Sequence, residues 1–181
     1  MAHILIVYGT TDGHTAKVAD TIAATLRQVG QNVTLHRGDA LPPGLDAAAF
    51  DAIIVGASVH YGKYQSYIGK FIAKNLNALK QKPSAFFAVS GASSSGAQGR
   101  QEACTFSDPF LDGLGWRPAR VEQIAGAFPF TRYGWWKRMM MRYIVRRAGG
   151  EAHTRKDYAY TDWERVTRFA HEFSSELARI T

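Results

Sequence analysis

The feature that most constrains this chain is a short apolar run rich in β-branched residues, His3–Tyr8 (HILIVY), that breaks directly into Gly9-Thr10-Thr11-Asp12-Gly13-His14-Thr15. A run of that kind, without polar alternation, is a strand buried on both faces. Behind it, Val18, Ile22, Ala23, Leu26 and Val29 recur at helical spacing, and Gly30 closes the helix. A doubly buried strand that turns straight into a helix is the first half of a βαβ unit. It needs parallel neighbours on either side and helices over both faces.

Those neighbours follow. Asn32–Leu35, Asp51–Ala57, Ser84–Ser90 and Val121–Phe128 read as further strands. Helices are predicted over Gln65–Leu79, ended by Lys82-Pro83, and over Arg100–Leu114. A last amphipathic helix starts at Thr161-Asp162-Trp163 and carries Val166, Phe169, Ala170, Phe173 and Leu177 on one side. Gly91–Gly99, rich in Gly and Ser, reads as a loop, either a lid or a loose crossover. The expected fold is α/β: a doubly wound five-stranded parallel sheet in the order 2-1-3-4-5. The 181 residues suit one such domain spanning residues 1–181. Ligands of such sheets sit at the carboxyl ends of strands one, three and four.

The turn after strand one is where an anion would bind. Backbone N–H groups and the helix dipole favour a phosphate there. Thr10, Thr11 and Thr15 add hydroxyl donors, His14 adds an imidazole, and Gly13 lets the backbone approach closely. The pattern is not GxGxxG, which argues against a dinucleotide, and it lacks the Gly-Lys-Ser/Thr ending of a nucleoside-triphosphate loop. Asp12 is unfavourable beside a dianion unless it turns away, and N-capping the helix would occupy it.

Two further loops converge on the same edge. Ala57–Tyr64 offers Tyr61 and Tyr64 as aromatic faces, with the backbone of Ser58, Val59 and Gly62 for the heteroatoms of a flat ring. The competing reading, that one or both tyrosines cap the sheet edge, weighs less on Tyr61 than on Tyr64. Ser90-Gly91-Ala92 supplies backbone at the end of strand four. His60 alone reads as a solvated loop residue. No catalytic acid or base emerges.

The net charge of +7 is localised, and its place matters more than its size. Arg132, Lys137, Arg138, Arg142, Arg146, Arg147, Arg155 and Lys156 face only Glu151, so this stretch carries the whole excess. It lies in an insert over about residues 129–156 that interleaves cations with Trp135, Trp136 and Met139–Met141. At helical spacing Trp136, Met139, Met140, Tyr143 and Ile144 share one arc, and Arg138, Arg142 and Arg146 another. Such a surface suits an anionic membrane, and a core helix with a solvated basic face is the competing reading. No nucleic-acid motif accompanies the charge. The sole cysteine, Cys104, excludes an internal disulfide and cysteine-based metal or iron–sulfur sites. No stretch is long and apolar enough to cross a membrane, and the N-terminus is expected to be a strand, not a secretion signal.

The hydroxyl-rich turn resembles the phosphate loop of flavodoxins, which hold FMN without a basic side chain. Thr11-Asp12-Gly13, Gly56–Ser58, Tyr61-Gly62, Pro83–Phe86, Trp116–Pro118 and Ile124–Ala127 narrow the resemblance. So do Arg132-Tyr133-Gly134-Trp135, Gly149–Glu151, Thr154–Lys156 and Tyr160–Glu164. Together they look like the flavodoxin-type, menaquinone-linked protoporphyrinogen oxidases. Nearly the whole chain is covered; Gly91–Phe106 departs from the pattern.

The resemblance implies a flavodoxin-like fold and an FMN-dependent oxidation of protoporphyrinogen IX in haem synthesis. Electrons would pass to menaquinone or ubiquinone from a cytoplasmic protein held at the inner face of the cell membrane. Arg132, Lys137 and Arg138 would then meet substrate propionates. A flavodoxin-type carrier docking an acidic redox partner and a soluble quinone reductase are the alternatives. Homo-oligomerisation stays open.

Overall fold

The computed structural model describes residues 1–128, 158–159 and 161–180. Its centre is a parallel sheet of β1 (His3–Tyr8), β2 (Asn32–Arg37), β3 (Ala52–Ser58), β4 (Ser84–Ser90) and β5 (Arg120–Ala125). The strands stand in the order β2-β1-β3-β4-β5, as the βαβ pattern requires. β4 is buried at every position and β3 at all but its last, which is why neither shows polar alternation.

The side chains of β1, β3 and β4 divide between two cores, and β2 and β5 add to the first. Ile4, Ile6, Ile54, Phe87, Val89 and Ile124 pack beneath α1 (His14–Gln28) and the last helix, α5 (Trp163–Ile180). Leu5, Val7, Ile53, Val55, Phe86 and Ala88 point the other way, into the core shared by α2 (Ser66–Lys74), α3 (Leu76–Gln81) and α4 (Gly96–Gly113). Packing across the sheet is tight. A Cβ on Gly56 would fall 1.9 Å from Cζ of Phe87, so only glycine fits beside that ring. Trp116, fully buried, donates from Nε1 to Ser84 Oγ at 3.3 Å, and Ser84 donates on to the Leu79 carbonyl.

Three boundaries differ from the sequence expectation. The helix expected over Gln65–Leu79 is two helices, broken at Asn75. That residue's side chain donates to the Phe71 carbonyl at 2.9 Å and caps α2 as α3 begins. The loop expected over Gly91–Gly99 ends early. A 3₁₀ turn at Ala92–Ser94 leads into α4 at Gly96. A Cβ on Gly99 would sit 2.1 Å from the Ala92 carbonyl oxygen, so this glycine lets the helix close against the turn.

The fifth strand expected over Val121–Phe128 leaves the sheet after Ala125. β6 (Ala127–Phe128) pairs antiparallel with β7 (Tyr158–Ala159) in a separate ladder. Arg120 binds Glu172 and Glu176, and Arg165 binds Glu122, tying α5 to β5. These pairs are partly exposed and orient the helix more than they stabilise it.

Candidate functional site

The turns after β1, β3 and β4 meet at the carboxyl end of the sheet. In the first, Gly13 takes φ 85°, a conformation that favours glycine, and donates its N–H to Thr10 Oγ1 at 2.9 Å. Gly13 is the N-cap of α1 and no side chain caps that helix. The opening N–H groups therefore remain available to an anion, with the positive end of the helix dipole behind them. Asp12 is not the N-cap that sequence suggested, because glycine occupies that position. Thr15 is buried at the start of the helix.

Neighbours brace the turn from outside. The Tyr67 hydroxyl receives the Thr10 N–H at 3.2 Å and lies 3.3 Å from its carbonyl. Gln65 bridges two turns at once. Its amide nitrogen donates to Thr11 Oγ1 at 3.1 Å and Ser58 Oγ at 2.8 Å, and its carbonyl accepts the Ser58 N–H. Gly9 lies beneath: a Cβ there would come within 2.7 Å of both Gln65 Oε1 and Ile68 Cγ1.

The turn after β3 is anchored where the Val59 N–H donates to the Val89 carbonyl. It then closes on itself. His60 and Lys63 exchange both backbone hydrogen bonds, at 2.8 and 3.1 Å, around Tyr61 (φ 50°) and Gly62 (φ 75°). Two left-handed central residues mark a type I′ turn. Tyr61 is the only described non-glycine residue with positive φ, and it is 67% exposed, edge-on to the His60 ring. A strained backbone that presents a bare aromatic face beside a phosphate turn is the arrangement a flat cofactor ring uses.

Tyr64 is placed differently. Its ring packs on Phe110 and Phe86, its hydroxyl is buried, and burial pushes the phenol pKa up.

The turn after β4 is compact. Ser90 and Ser93 share a 2.8 Å hydroxyl bond, Ser94 Oγ donates to the Gly91 carbonyl, and the Ser90 carbonyl accepts the Gly126 N–H at 2.9 Å. Ala92 opens the 3₁₀ turn.

Most of the residues singled out from sequence thus converge. Thr10, Thr11, Asp12, Gly13, His14 and Thr15 form one wall; Ser58, Val59, Tyr61 and Gly62 form a second, and Ser90, Gly91 and Ala92 a third. Tyr64 stands behind them in the core. Arg132, Trp135, Trp136, Lys137, Arg138, Arg142 and Arg146 lie outside the described residues. Sequence reasoning missed Gln65, Tyr67 and Thr161 as braces. The sole sequence signal was their position within the first three residues of predicted helices.

The three walls fit FMN. Uncapped amides and hydroxyls at α1 suit its phosphate, and Tyr61 with the backbone of the other two turns suits its ring. A family model described as a flavodoxin domain matches residues 5–155, and the chain belongs to that family, a flavoprotein of the oxidoreductase class. Its relatives are narrower. Over 173 residues it is 35% identical to a protoporphyrinogen IX dehydrogenase (quinone) of Escherichia coli (strain K12), covering 94% of this chain and 93% of that one. A protein of the same name from Leishmania major is 30% identical over 175 residues, covering 94% and 74%. Within its family the chain groups with these quinone-dependent dehydrogenases. An archaeal flavodoxin shares the fold at TM-score 0.57 with 16% identity, covering 97% of this chain and 99% of that chain.

Proposed function

We propose that this protein binds FMN at the three turns and oxidises protoporphyrinogen IX to protoporphyrin IX, with menaquinone or ubiquinone as acceptor. The observation that carries the reading is the pairing of an uncapped, hydroxyl-lined helix start with the exposed, left-handed Tyr61 across a gap bridged by Gln65. The relatives' names supply the substrate class.

FMN, when bound, supplies the two-electron chemistry. Each step takes two hydrogens from the porphyrinogen and yields one quinol. The chain's own residues hold and shield. Thr10, Thr11, Thr15 and the amides that follow Gly13 take the phosphate, and Asp12 and His14 complete that turn. Ser58, Val59, Gly62, Ser90, Gly91 and Ala92 present backbone to the ring edge, Tyr61 covers a face, and Tyr64 backs the wall. No side chain is assigned as an acid or base.

The basic segment belongs to the substrate side of this reading. The β6–β7 ladder pairs Phe128 with Tyr158, the described residues on either side of that segment. Arg132, Lys137 and Arg138 would pair with propionates, and Trp135, Trp136, Arg142 and Arg146 with an anionic membrane surface. The protein then works as one domain over residues 1–181 at the cytoplasmic face of the membrane. Among the described residues no helix is long and apolar enough to cross one.

The test is anaerobic: FMN-loaded protein is mixed with protoporphyrinogen IX and a menaquinone analogue while porphyrin fluorescence is followed. Quinone-dependent fluorescence is expected. A flavin that turns over with other donors while no porphyrin forms would remove the substrate assignment and leave the fold and cofactor.

A further inference from the structure

A single peptide unit joins two walls of the site. At the end of β5 the Ala125 carbonyl accepts a hydrogen bond from Thr161 Oγ1 at 2.7 Å. The N–H of the same peptide, on Gly126, donates to the Ser90 carbonyl at 2.9 Å. Thr161 Oγ1 also lies 2.6 Å from His14 Nε2, in the phosphate turn. The hydroxyl has one proton, which goes to Ala125, so it accepts from the imidazole. His14 is therefore the tautomer protonated at Nε2. Donation runs one way along the chain, His14 to Thr161 to the 125–126 peptide to Ser90, and each bond polarises the next.

We propose that this chain fixes the spacing between the phosphate turn and the turn after β4, and that His14 and Thr161 are positioning residues for a phosphorylated flavin. The proposal rests on the FMN reading above. The imidazole's Nε2 is already committed to Thr161, and Trp163 packs on the ring at a centroid distance of 6.0 Å. Burial, and then Lys17, hold the His14 pKa below the ordinary histidine value, so in the flavin-free protein the ring favours its neutral form. What it brings is placement. It leads α1, whose first amides face the anion, while Ser90 ends the strand whose backbone faces the ring. FMN has a fixed reach between phosphate and ring, so it reads the distance between these walls. Riboflavin, lacking the phosphate, does not.

The experiment titrates apo-protein with FMN and with riboflavin, following the quenching of flavin fluorescence, and records the thermal unfolding of each apo variant. His14→Ala and Thr161→Val are each expected to weaken FMN binding about tenfold, the scale of one well-placed hydrogen bond. The double variant should lose no more than the worse single one, because both break the same chain. Riboflavin affinity should stay within about twofold. His14→Gln and Thr161→Ser, which keep a donor and a hydroxyl, should restore FMN binding, and this pair decides the matter if riboflavin binds too weakly to read.

Wild-type FMN affinity in Thr161→Val overturns the proposal. So does a parallel fall in FMN affinity, riboflavin affinity and apo stability, which would mark a merely structural tie. Failure of His14→Gln to rescue, with Thr161→Val silent, would make His14 a direct phosphate ligand instead. A wild-type protein that binds neither flavin, or shows no preference for FMN, would sink the FMN reading itself.

Discussion

The turns after β1 and β3 face the same space and are held in opposite ways. Side chains from elsewhere brace the first: Gln65 and Tyr67 from the start of α2, and Thr161 from the lead into α5. The second takes one such brace, Gln65 on Ser58, and beyond it closes on itself by two backbone bonds between His60 and Lys63, leaving Tyr61 two-thirds exposed. The difference follows from what each must recognise. A phosphate is bound by several donors whose positions must all be right, so the turn that supplies them is over-determined. A ring face needs only a flat apolar surface, which a small self-closed turn can present.

The contrast is broken most sharply at glycine. Gly9→Ala drives a Cβ to within 2.7 Å of Gln65 and the buried Ile68, so α2 must give way. A loss of about 2–3 kcal/mol in urea unfolding is expected, together with flavin retention. In the other turn, Gly62→Ala finds its nearest neighbour, Phe106, at 3.9 Å. It meets only the left-handed backbone cost of about 1 kcal/mol. Equal losses at the two glycines would mean that the turns are braced alike.

Gln65→Ala tests the bridge. It deletes both amide bonds and leaves the Ser58 N–H without its acceptor, so about 1–2 kcal/mol of stability should go. FMN affinity should fall about tenfold on the same scale. Stability lost with FMN titrations unchanged would show that Thr11 and Ser58 hold their places unaided.

The same contrast explains what could be read in advance. Ser84–Ser90 is a strand to the residue, and the sheet order follows from βαβ handedness, because buried apolar runs and helical spacing are local signals. The Ala57–Tyr64 loop was legible only in its place at the sheet edge; neither the left-handed turn at Tyr61 and Gly62 nor the packing of Tyr64 on Phe86 and Phe110 was read from the sequence.

The bracing of the phosphate turn was not legible. Gln65, Tyr67 and Thr161 meet partners 54, 57 and 147 residues away, and no local pattern carries such pairings. Asn75 escaped because Leu76 and Leu79 keep the helical period across the break. Gly99 escaped because glycine that signals a loop by composition can equally serve a close approach, here to the Ala92 carbonyl.

Tyr61→Gly separates function from stability in the looser turn. Glycine takes φ 50° freely, so unfolding stability should rise by up to about 1 kcal/mol. Loss of the exposed ring should meanwhile weaken FMN and riboflavin to the same degree, since stacking is blind to the phosphate. Unchanged affinity in fluorescence titrations would take Tyr61 off the ring face.

The smallest expected effect is a slope in pH, and it belongs to the braced turn. His14 has a pKa lowered below 6.5 by burial first and Lys17 second, so the unfolded chain binds its proton more readily than the folded one. Stability contributed by the neutral ring is therefore intact above pH 6.5 and declines as pH falls toward the folded value. His14→Gln should flatten that decline in urea midpoints measured across the window, while substitutions at Tyr61 leave it alone. Protonation does not break the bond to Thr161, because Nε2 donates in either state; the cost lies in charging a half-buried ring near Lys17. A phosphate dianion at the start of α1 favours the charged ring, so saturating FMN should shrink the slope in the wild type. A slope of equal size in wild type and His14→Gln would assign it to another group and leave the braced turn without a titrating member.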